Sequence, residues 1–473
     1  MLSFIRDRFE NKSVVFLGFG REGQASYRVF RKVFPEKRFA IADKNEQVSQ
    51  NPLVAGDSNL DFITGMDYLE RLSHFDVILR SPGIPLWNSS LSHKEAISST
   101  TPSETFSSPW LVTSQTDLFL QAFSRQVIGV TGTKGKSTTS GLIHHILKTA
   151  GKDALLVGNI GNPAFHFLDQ IKPETNIVYE LSSHQLEYLT KAPHISVLLN
   201  FFQEHLDAYR SFEDYQLAKI NIARYQGPQD ILVFNTDEPL VVGQVAPYRT
   251  ARQCYPFSVE KEYHPGGFIR EGMLFFADGK TDIPVWKIHQ ERYLRGMHNL
   301  KNILAAVNVA MVLGISTEAV EEGIATFKGL GHRLEYVGEQ GGVHFYNDSI
   351  ATIPEACIEA IKAIPKVDTL IAGGFDRGVD YSGLGDFLSK SEVRNFIFSG
   401  AAGKRIGECL EAKNPLGKKI FYIPRFDDFR AIAFRETLPG YTCLLSPAAA
   451  SYDEFNNFEE RGNRFKMLVN NKL

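Results

Sequence analysis

The sequence predicts an α/β protein of three domains, and three observations predict it. Its 473 residues are too many for one hydrophobic core, and roughly 150 residues per domain gives three units. Short β-branched and aromatic runs alternate with segments of helical periodicity along the chain, the pattern of parallel sheets flanked by helices. Two of the strand-to-helix junctions carry glycine-rich turns. The boundaries expected are 1–122, 123–325 and 326–473.

The opening run "SVVFLGFG" is apolar and ends in glycine, and "REGQASYRVFRKVF" repeats its apolar residues at helical spacing, so strand, turn and helix follow one another. "RFAIAD" and "FDVILRSPGI" read as further buried strands that stop at polar or turn residues. The Ser, Thr and Pro of "ISSTTPSETFSSP", residues 97 to 109, mark an exposed loop or linker. A second strand, loop and helix begins at "RQVIGVTGTKGKSTTSGLIHHIL", and the strands "TNIVYELSS", "ISVLLNF" and "DILVFN" fill the middle of the chain. A third series runs from about Phe327 through "VHFYNDS", "DTLIAGG", "NFIFSG" and "TCLLSP". No repeat of fixed period and no heptads interrupt it.

The composition narrows the function classes. Fifty-one basic against 54 acidic residues leave a formal charge of −3, which gives no general attraction to nucleic acid. The first twenty residues interleave charges with short apolar runs, unlike a secretion signal, and no run approaches the roughly 18 apolar residues of a membrane span. A soluble cytoplasmic protein without membrane partners is expected, and a monomer. Cys254, Cys357, Cys409 and Cys443 lie far apart without a Cys-x-x-Cys pair, so reduced structural thiols are expected in place of a zinc site or disulfides.

The two glycine loops carry the chemistry. Gly129-Val-Thr-Gly132-Thr133-Lys134-Gly135-Lys136-Ser137-Thr138 lacks the first glycine of the full Walker A pattern, because Val130 stands there, and keeps G-x-x-G-K-S. Its glycines let backbone amides turn toward phosphate oxygens, Lys136 can reach the outer phosphates, and Ser137 can ligate Mg²⁺. The earlier Gly18-Phe-Gly20-Arg-Glu-Gly23 follows a strand and opens a helix, with Asp43 ending the next strand. That is a dinucleotide fingerprint, but the same geometry serves any diphosphate nucleotide, and the loop alone leaves NAD open.

Downstream come "GNIGNP" (158 to 163), "ELSSHQLE" (180 to 187), "LNFFQEHLDAY" (199 to 209), "YQLAKINI" (215 to 222), "GMHNLKN" (296 to 302), "GLGHRLE" (329 to 335), "YNDSIAT" (346 to 352) and "LLSPAAASYDEFNNFEERG" (444 to 462). In this order, from Gly18 to Gly462, the motifs resemble the Mur ligases, and among them the glutamate-adding branch. The resemblance implies an ATP-dependent amide ligase of peptidoglycan precursor synthesis with a Rossmann-like N-terminal domain for UDP, a central P-loop ATPase-type parallel-sheet domain and a C-terminal Rossmann-like domain for the amino acid. Its substrates would be UDP-N-acetylmuramoyl-L-alanine, glutamate and ATP, with Mg²⁺. A carboxylate has oxide as its leaving group, so ATP must first convert it to an acyl phosphate, and cations must screen the two anions that meet.

The resemblance also implies roles residue by residue. Lys136 would neutralise the γ-phosphate, with Mg²⁺ at Ser137 and Glu180 and a second Mg²⁺ at His205, helped by Lys219 as a carbamate. Mg²⁺ normally prefers oxygen, so the histidine rests on the resemblance alone. Asn299 and Asn302, three apart on one helix face, would offer amides to adenine, with helix capping as the competing account. Arg333 and Asp348 would contact ATP. Asn159, Ser182 and Ser183 would line the lactoyl-alanine arm, and Gly18, Gly20, Gly23, Asp43 and Ser81 the uridine diphosphate, against turn-forming roles. Thr352, Arg377, Ser451 and Phe458 fall on glutamate-contacting positions, with Arg377 the cation a dicarboxylic amino acid needs.

One motif departs from the family. Where D-S-K-A-T-N is usual, this chain reads Asp348-Ser-Ile350-Ala-Thr-Ile353-Pro354. A smaller group of related ligases that takes L-glutamate looks similar in this motif, so L-glutamate is the alternative to the family's usual D-glutamate. A folylpolyglutamate synthetase-like ligase would not need the first loop, and an NAD-dependent dehydrogenase would leave the second loop and "ELSS" unexplained.

Overall fold

The computed structural model describes residues 1–86, 111–158, 163–203, 208–251, 253–290, 293–294, 297–414 and 416–471. The expected linker at 97–109, Asn159 and His205 lie outside the described residues. The chain divides into two compact units, Met1–Phe327 and Lys328–Leu473.

The first unit holds two sheets. In the first, the strands lie in the order Leu60–Thr64, Phe39–Asp43, Val14–Leu17, Val77–Arg80, Leu111–Ser114, all parallel. The earliest strand is thus the central one, buried on both faces, and the strand order reverses beside it. A loop leaving the carboxyl end of such a strand opens into a crevice between connections that diverge to opposite sides, which is where Gly18–Gly23 emerges.

The second sheet has nine strands, in the order Asp282–Lys287, Met273–Ala277, Gly266–Arg270, Gln253–Ser258, Ile231–Asn235, Ile195–Leu198, Val127–Thr131, Asn176–Glu180, Ala154–Gly158. Only the hairpin extension through Met273–Ala277 and Asp282–Lys287 is antiparallel. Val127–Thr131 is flanked by Asn176–Glu180 and Ile195–Leu198, so the loop that follows it meets the ends of both neighbours. The helices Lys136–Thr149, Met297–Val312 and Thr317–Thr326 close one face of this sheet over an apolar core that includes Leu142, Ile146, Leu304 and Val320. On the other face a second core runs without a break into that of the first sheet, through Phe16, Phe119, Tyr179 and Ile220.

The seam between these two sheets contains a buried carboxylate. Ser114 caps the helix Gln115–Phe123 by accepting from the Asp117 amide at 3.0 Å, which presents the Asp117 side chain inward. Its Oδ1 accepts from the Thr190 amide (2.7 Å) and hydroxyl (2.8 Å), and its Oδ2 from Thr113 Oγ1 (2.9 Å) and Gln121 Nε2 (2.8 Å). Burial pushes the carboxyl above its ordinary range, and these donors oppose that.

The second unit is built on six strands, Glu335–Gln340, Val343–Asn347, Thr442–Leu445, Val367–Gly373, Asn395–Ser399, Lys419–Ile423, of which only the first is antiparallel. Pro354–Ala363, Ser382–Lys390 and Gly400–Glu411 pack on one face, and Phe429–Glu436 with Phe458–Asn470 on the other. No helix among the described residues is long and apolar enough to cross a membrane.

The seam yields a stability prediction. Asp117→Ala strands the buried Thr113 hydroxyl and removes the acceptor of the Thr190 amide, which costs about 1 to 3 kcal/mol. Thermal unfolding should show a midpoint several degrees below the parent, and Asp117→Asn, which keeps an acceptor, a smaller fall.

Candidate active site

The first loop is held from both sides. Gly18 takes φ +83°, a conformation glycine adopts without strain, and a side chain there would meet Ile84 and Ser81. Asp43 Oδ2 accepts from the Phe19 amide at 2.7 Å and Ser81 Oγ donates to the Gly18 carbonyl at 2.8 Å. Both residues therefore shape the loop with their side chains. Gly20 caps the helix Arg21–Val33, whose first amides have no partner inside the helix.

The second loop is braced by side chains from three neighbouring segments, those of Asn200, Tyr215 and Asn302. Asn200 Oδ1 accepts from the Lys134 amide (2.8 Å), while its Nδ2 donates to the Lys134 carbonyl (3.0 Å), so one side chain grips both sides of a residue. The Thr133 amide donates to the Asn200 carbonyl (3.1 Å), and Thr133 Oγ1 accepts from the Phe202 amide (2.9 Å) and pairs with the Tyr215 hydroxyl (2.8 Å). Gly135, at φ +84°, caps the helix Lys136–Thr149, and a Cβ there would run into the Asn302 amide. Asn302 Oδ1 accepts from Thr139 at 3.3 Å and its Nδ2 donates to Asn299 Oδ1 at 3.1 Å. Asn299 and Asn302 are thus beside the loop, bonded to each other.

Two ammonium groups meet at this loop. Lys136 Nζ donates to the carbonyls of Gly132 and Thr133, each at 2.9 Å, and Lys219 Nζ donates to the same Gly132 carbonyl at 3.1 Å. Lys219 is 2% exposed and lies over the Tyr215 ring, 4.8 Å from its centroid. Ser137 is buried in the first turn of the helix, with Thr138 next to it half-buried. Glu180 is buried at the end of its strand, in register with Val130, and the Leu181 carbonyl beyond it accepts from Thr131 Oγ1 at 2.8 Å. Among the described residues, no three His, Cys, Asp or Glu side chains surround one point.

Ser182 acts as a helix cap. It forms a reciprocal capping box with Gln185 at the start of Ser183–Leu186, and Ser183 is buried. The segment then reaches the first sheet: Gln185 Nε2 donates to Glu22 Oε1 at 2.6 Å, and Glu187 pairs with Arg80 at 2.5 Å. Arg80 is 3% exposed, lies over the Tyr188 ring and also donates to the Ile84 carbonyl.

In the second unit, Asp348 is buried and accepts from Ser446 Oγ (2.8 Å) and the Leu334 amide (3.1 Å). Burial pushes its carboxyl up to about 7, opposed by Ser446, Leu334 and the neighbouring Arg333, itself exposed. Arg377 Nη2 donates to the Thr352 carbonyl at 2.9 Å, bringing those two together. Ser451 is buried, and the Phe458 carbonyl accepts from Ser349 Oγ at 2.8 Å. The organiser of this region is Arg461, absent from the expected set. It is 2% exposed and donates to Ser349 Oγ and to the carbonyls of Ser349, Gly373, Ala449 and Ala450. Arg461, Phe465 and Val469 are spaced by four on the buried stripe of the helix Phe458–Asn470, so an arginine on a core-facing stripe was its signal in the sequence.

Residues 130–310 match the family described as the Mur ligase middle domain. Over nearly the full chain the sequence is 33% identical to the UDP-N-acetylmuramoylalanine–D-glutamate ligase of Acetivibrio thermocellus, covering 99% of this chain and 98% of that one. The identity is 35% to the protein of the same name from Geobacillus kaustophilus, over 97% of each chain. The chain belongs to the Mur ligase family. Among solved structures, MurF from Acinetobacter baumannii shares the fold at a TM-score of 0.51 and 17% identity, over 78% of this chain and 84% of that one.

As a Mur ligase the chain is an ATP-dependent enzyme that forms amide bonds. Asn200, like Arg461, escaped the reading of the sequence, because an asparagine after an apolar strand carries no mark of its distant partner. Asn200→Ala removes both bonds to Lys134 while leaving the buried strand intact. Initial rates against ATP concentration should show KM for ATP raised about tenfold, the equivalent of one net hydrogen bond, with the unfolding midpoint little changed.

Proposed function

We propose that this ligase joins the L-alanine carboxylate of UDP-N-acetylmuramoyl-L-alanine to the amine of glutamate, with D-glutamate as acceptor, by way of an acyl phosphate. The observation that carries the reading is the convergence of Lys136 and Lys219 on the Gly132 carbonyl. Lys136 brings positive charge to a step in which a triphosphate meets a carboxylate, and the buried Lys219 amine beside it is placed where conversion to a carbamate would make it an oxygen ligand for a metal ion. The names of the full-length relatives support the choice of substrates.

In this reading residues 1–122 take the UDP moiety, residues 123–325 ATP and residues 326–473 glutamate. Lys136 neutralises the γ-phosphate as it passes to the substrate carboxylate, and the loop amides hold the remaining phosphates. The glutamate amine then attacks the acyl carbon, the amide bond forms and inorganic phosphate leaves. Thr352, Arg377, Ser451 and Phe458 orient the acceptor, and Arg461 fixes the segments that carry Ser451 and Thr352. The hydroxyl of Ser137 and the carboxylate of Glu180 are hard oxygen donors and fit Mg²⁺, with His205 and carbamylated Lys219 for a second ion. When bound, Mg²⁺ supplies charge that screens the phosphates. The reaction belongs to peptidoglycan precursor synthesis in the cytoplasm, carried out by a monomer.

The L-glutamate reading keeps one observation in its favour, the Ile350 and Pro354 of the acceptor motif.

A phosphate-release assay with UDP-N-acetylmuramoyl-L-alanine and each glutamate enantiomer tests the assignment. Release should require the nucleotide substrate and be faster with D-glutamate; release with neither enantiomer overturns it. Lys136→Ala should fold and lose roughly a hundredfold or more in turnover, the usual cost of removing a charge that stabilises a transition state. Ile350→Lys should change the ratio of the two enantiomers' kcat/KM by less than about tenfold. A larger change, or a parent preference for L-glutamate, assigns stereochemical choice to this position, because one charge-assisted contact is worth about 1.5 to 3 kcal/mol.

A further inference from the structure

The sequence of the first loop contains an acid that the proposed reaction does not use. Glu22 stands in the first turn of Arg21–Val33, between Gly20 and Gly23, where the helix amides would face a nucleotide diphosphate. A sealed acid on the turn whose amides would face two phosphate charges is an unfavourable choice unless something controls its charge. The structure supplies that control.

Glu22 Oε1 accepts from Gln185 Nε2 at 2.6 Å, across the seam between the two sheets. Its Oε2 is sealed from solvent and has no hydrogen-bond partner. The Glu22 backbone carbonyl accepts from Gln115 Nε2 at 3.0 Å, and Gln115 in turn donates to Ser26, so the turn carrying the acid is fixed. The titratable and charged groups that bear on the carboxyl are Arg80 from the strand Val77–Arg80 and Tyr179 from the strand Asn176–Glu180. Arg80 is already paired with Glu187 at 2.5 Å. Gln115 and Gln185, the residues that touch Glu22 from their own helices, are neutral.

We infer that Glu22 sets the affinity of the first glycine loop for the diphosphate of the nucleotide substrate, admitting it when the carboxyl is neutral and repelling it when the carboxyl is ionised. The inference rests on the reading of this loop as the UDP site. A carboxyl with one bonded and one sealed oxygen favours the uncharged form, because an enclosed charge would have a single donor to offset its lost hydration. Burial pushes Glu22 up to about 7, against the Gln185 hydrogen bond and Arg80, which pull it down. The neutral form thus prevails below pH 7 and the charged form above it. The same donor ties the charge state to Gln185 and so to the segment that follows Glu180.

The test measures the Kd of UDP-N-acetylmuramoyl-L-alanine by calorimetry between pH 6 and 8.5. Its diphosphate is a diester and its carboxyl ionises well below this range, so the ligand's charge stays constant. The parent should bind about tenfold more weakly at pH 8.5 than at pH 6. Glu22→Gln keeps an acceptor for Gln185 and removes the titration, and its Kd should vary less than twofold. Glu22→Thr is the second variant should the glutamine not fold, with the same flat profile expected. The Kd of ATP, which belongs to the other loop, should follow one pH profile in parent and variants. Equal pH slopes for the nucleotide substrate in parent and variant overturn the inference while leaving the UDP reading in place. No binding by the parent at any pH overturns the UDP reading and the inference with it.

Discussion

Two ammonium groups that share one carbonyl acceptor repel each other, and the bracing of the second glycine loop is what holds Lys136 and Lys219 on Gly132 in spite of this. Their separation is a few ångströms in a largely dry setting, where the repulsion is far from the negligible value it has in water. Several features offset it. The Tyr215 ring lies under Lys219, and its hydroxyl is tied to Thr133 of the same loop. Asn200 fixes Lys134 from both sides, and Asn302 fills the space beside Gly135. In the proposed reaction a loop so held keeps the Lys136 charge where an anion is to be stabilised, and little has to move when that anion arrives.

The same economy of motion links the two sheets of the first unit. The segment after Glu180 leaves the second sheet, caps itself with Ser182, and within five residues offers Gln185 to Glu22 and Glu187 to Arg80. A buried ion pair such as Arg80 with Glu187 is weak evidence of net stability, since desolvation offsets much of the attraction. Its effect is geometric: the end of the strand Val77–Arg80, with Ser81 beyond it, cannot shift without disturbing the strand end that carries Glu180. The first glycine loop and the strand that ends at Glu180 are thereby set in register.

In the second unit one arginine does comparable work. Arg461 spends its donors on neutral carbonyls and a hydroxyl from three separate segments, and burial lowers it to about 10, still charged at neutral pH. Gly462 beside it lets the helix approach so closely that a side chain there would strike His332. The chain therefore brings Ser349, Gly373 and Ala450 together around a buried cation, and Thr352 and Ser451 follow as their neighbours in sequence.

Much of the fold is legible in the sequence. The strands "SVVFLG", "RFAIAD", "DILVFN" and "NFIFS" all form, because a fully buried parallel strand is written as an uninterrupted apolar run. Both glycine loops sit between strand and helix, because glycine after an apolar run and before a helical period is a local signal. Short strands with polar positions, such as Leu60–Thr64 and Lys419–Ile423, left no such mark. Side-chain roles divided the same way. The sequence by itself determined which chemistries were present: a lysine and a hydroxyl after a glycine turn, an acid at a strand end, and an arginine, Arg377, just beyond a buried strand. Only the tertiary structure decided that Lys219 shares an acceptor with Lys136, that Asn299 and Asn302 bond each other, that Ser182 serves as a cap, and that Asn200, Arg461 and Gln185 hold the loops in place. Each of those facts joins residues far apart along the chain or chooses among several partners for one polar group. Periodicity and local propensity report on neighbours within a turn or two, and carry no information about which distant group completes a hydrogen bond.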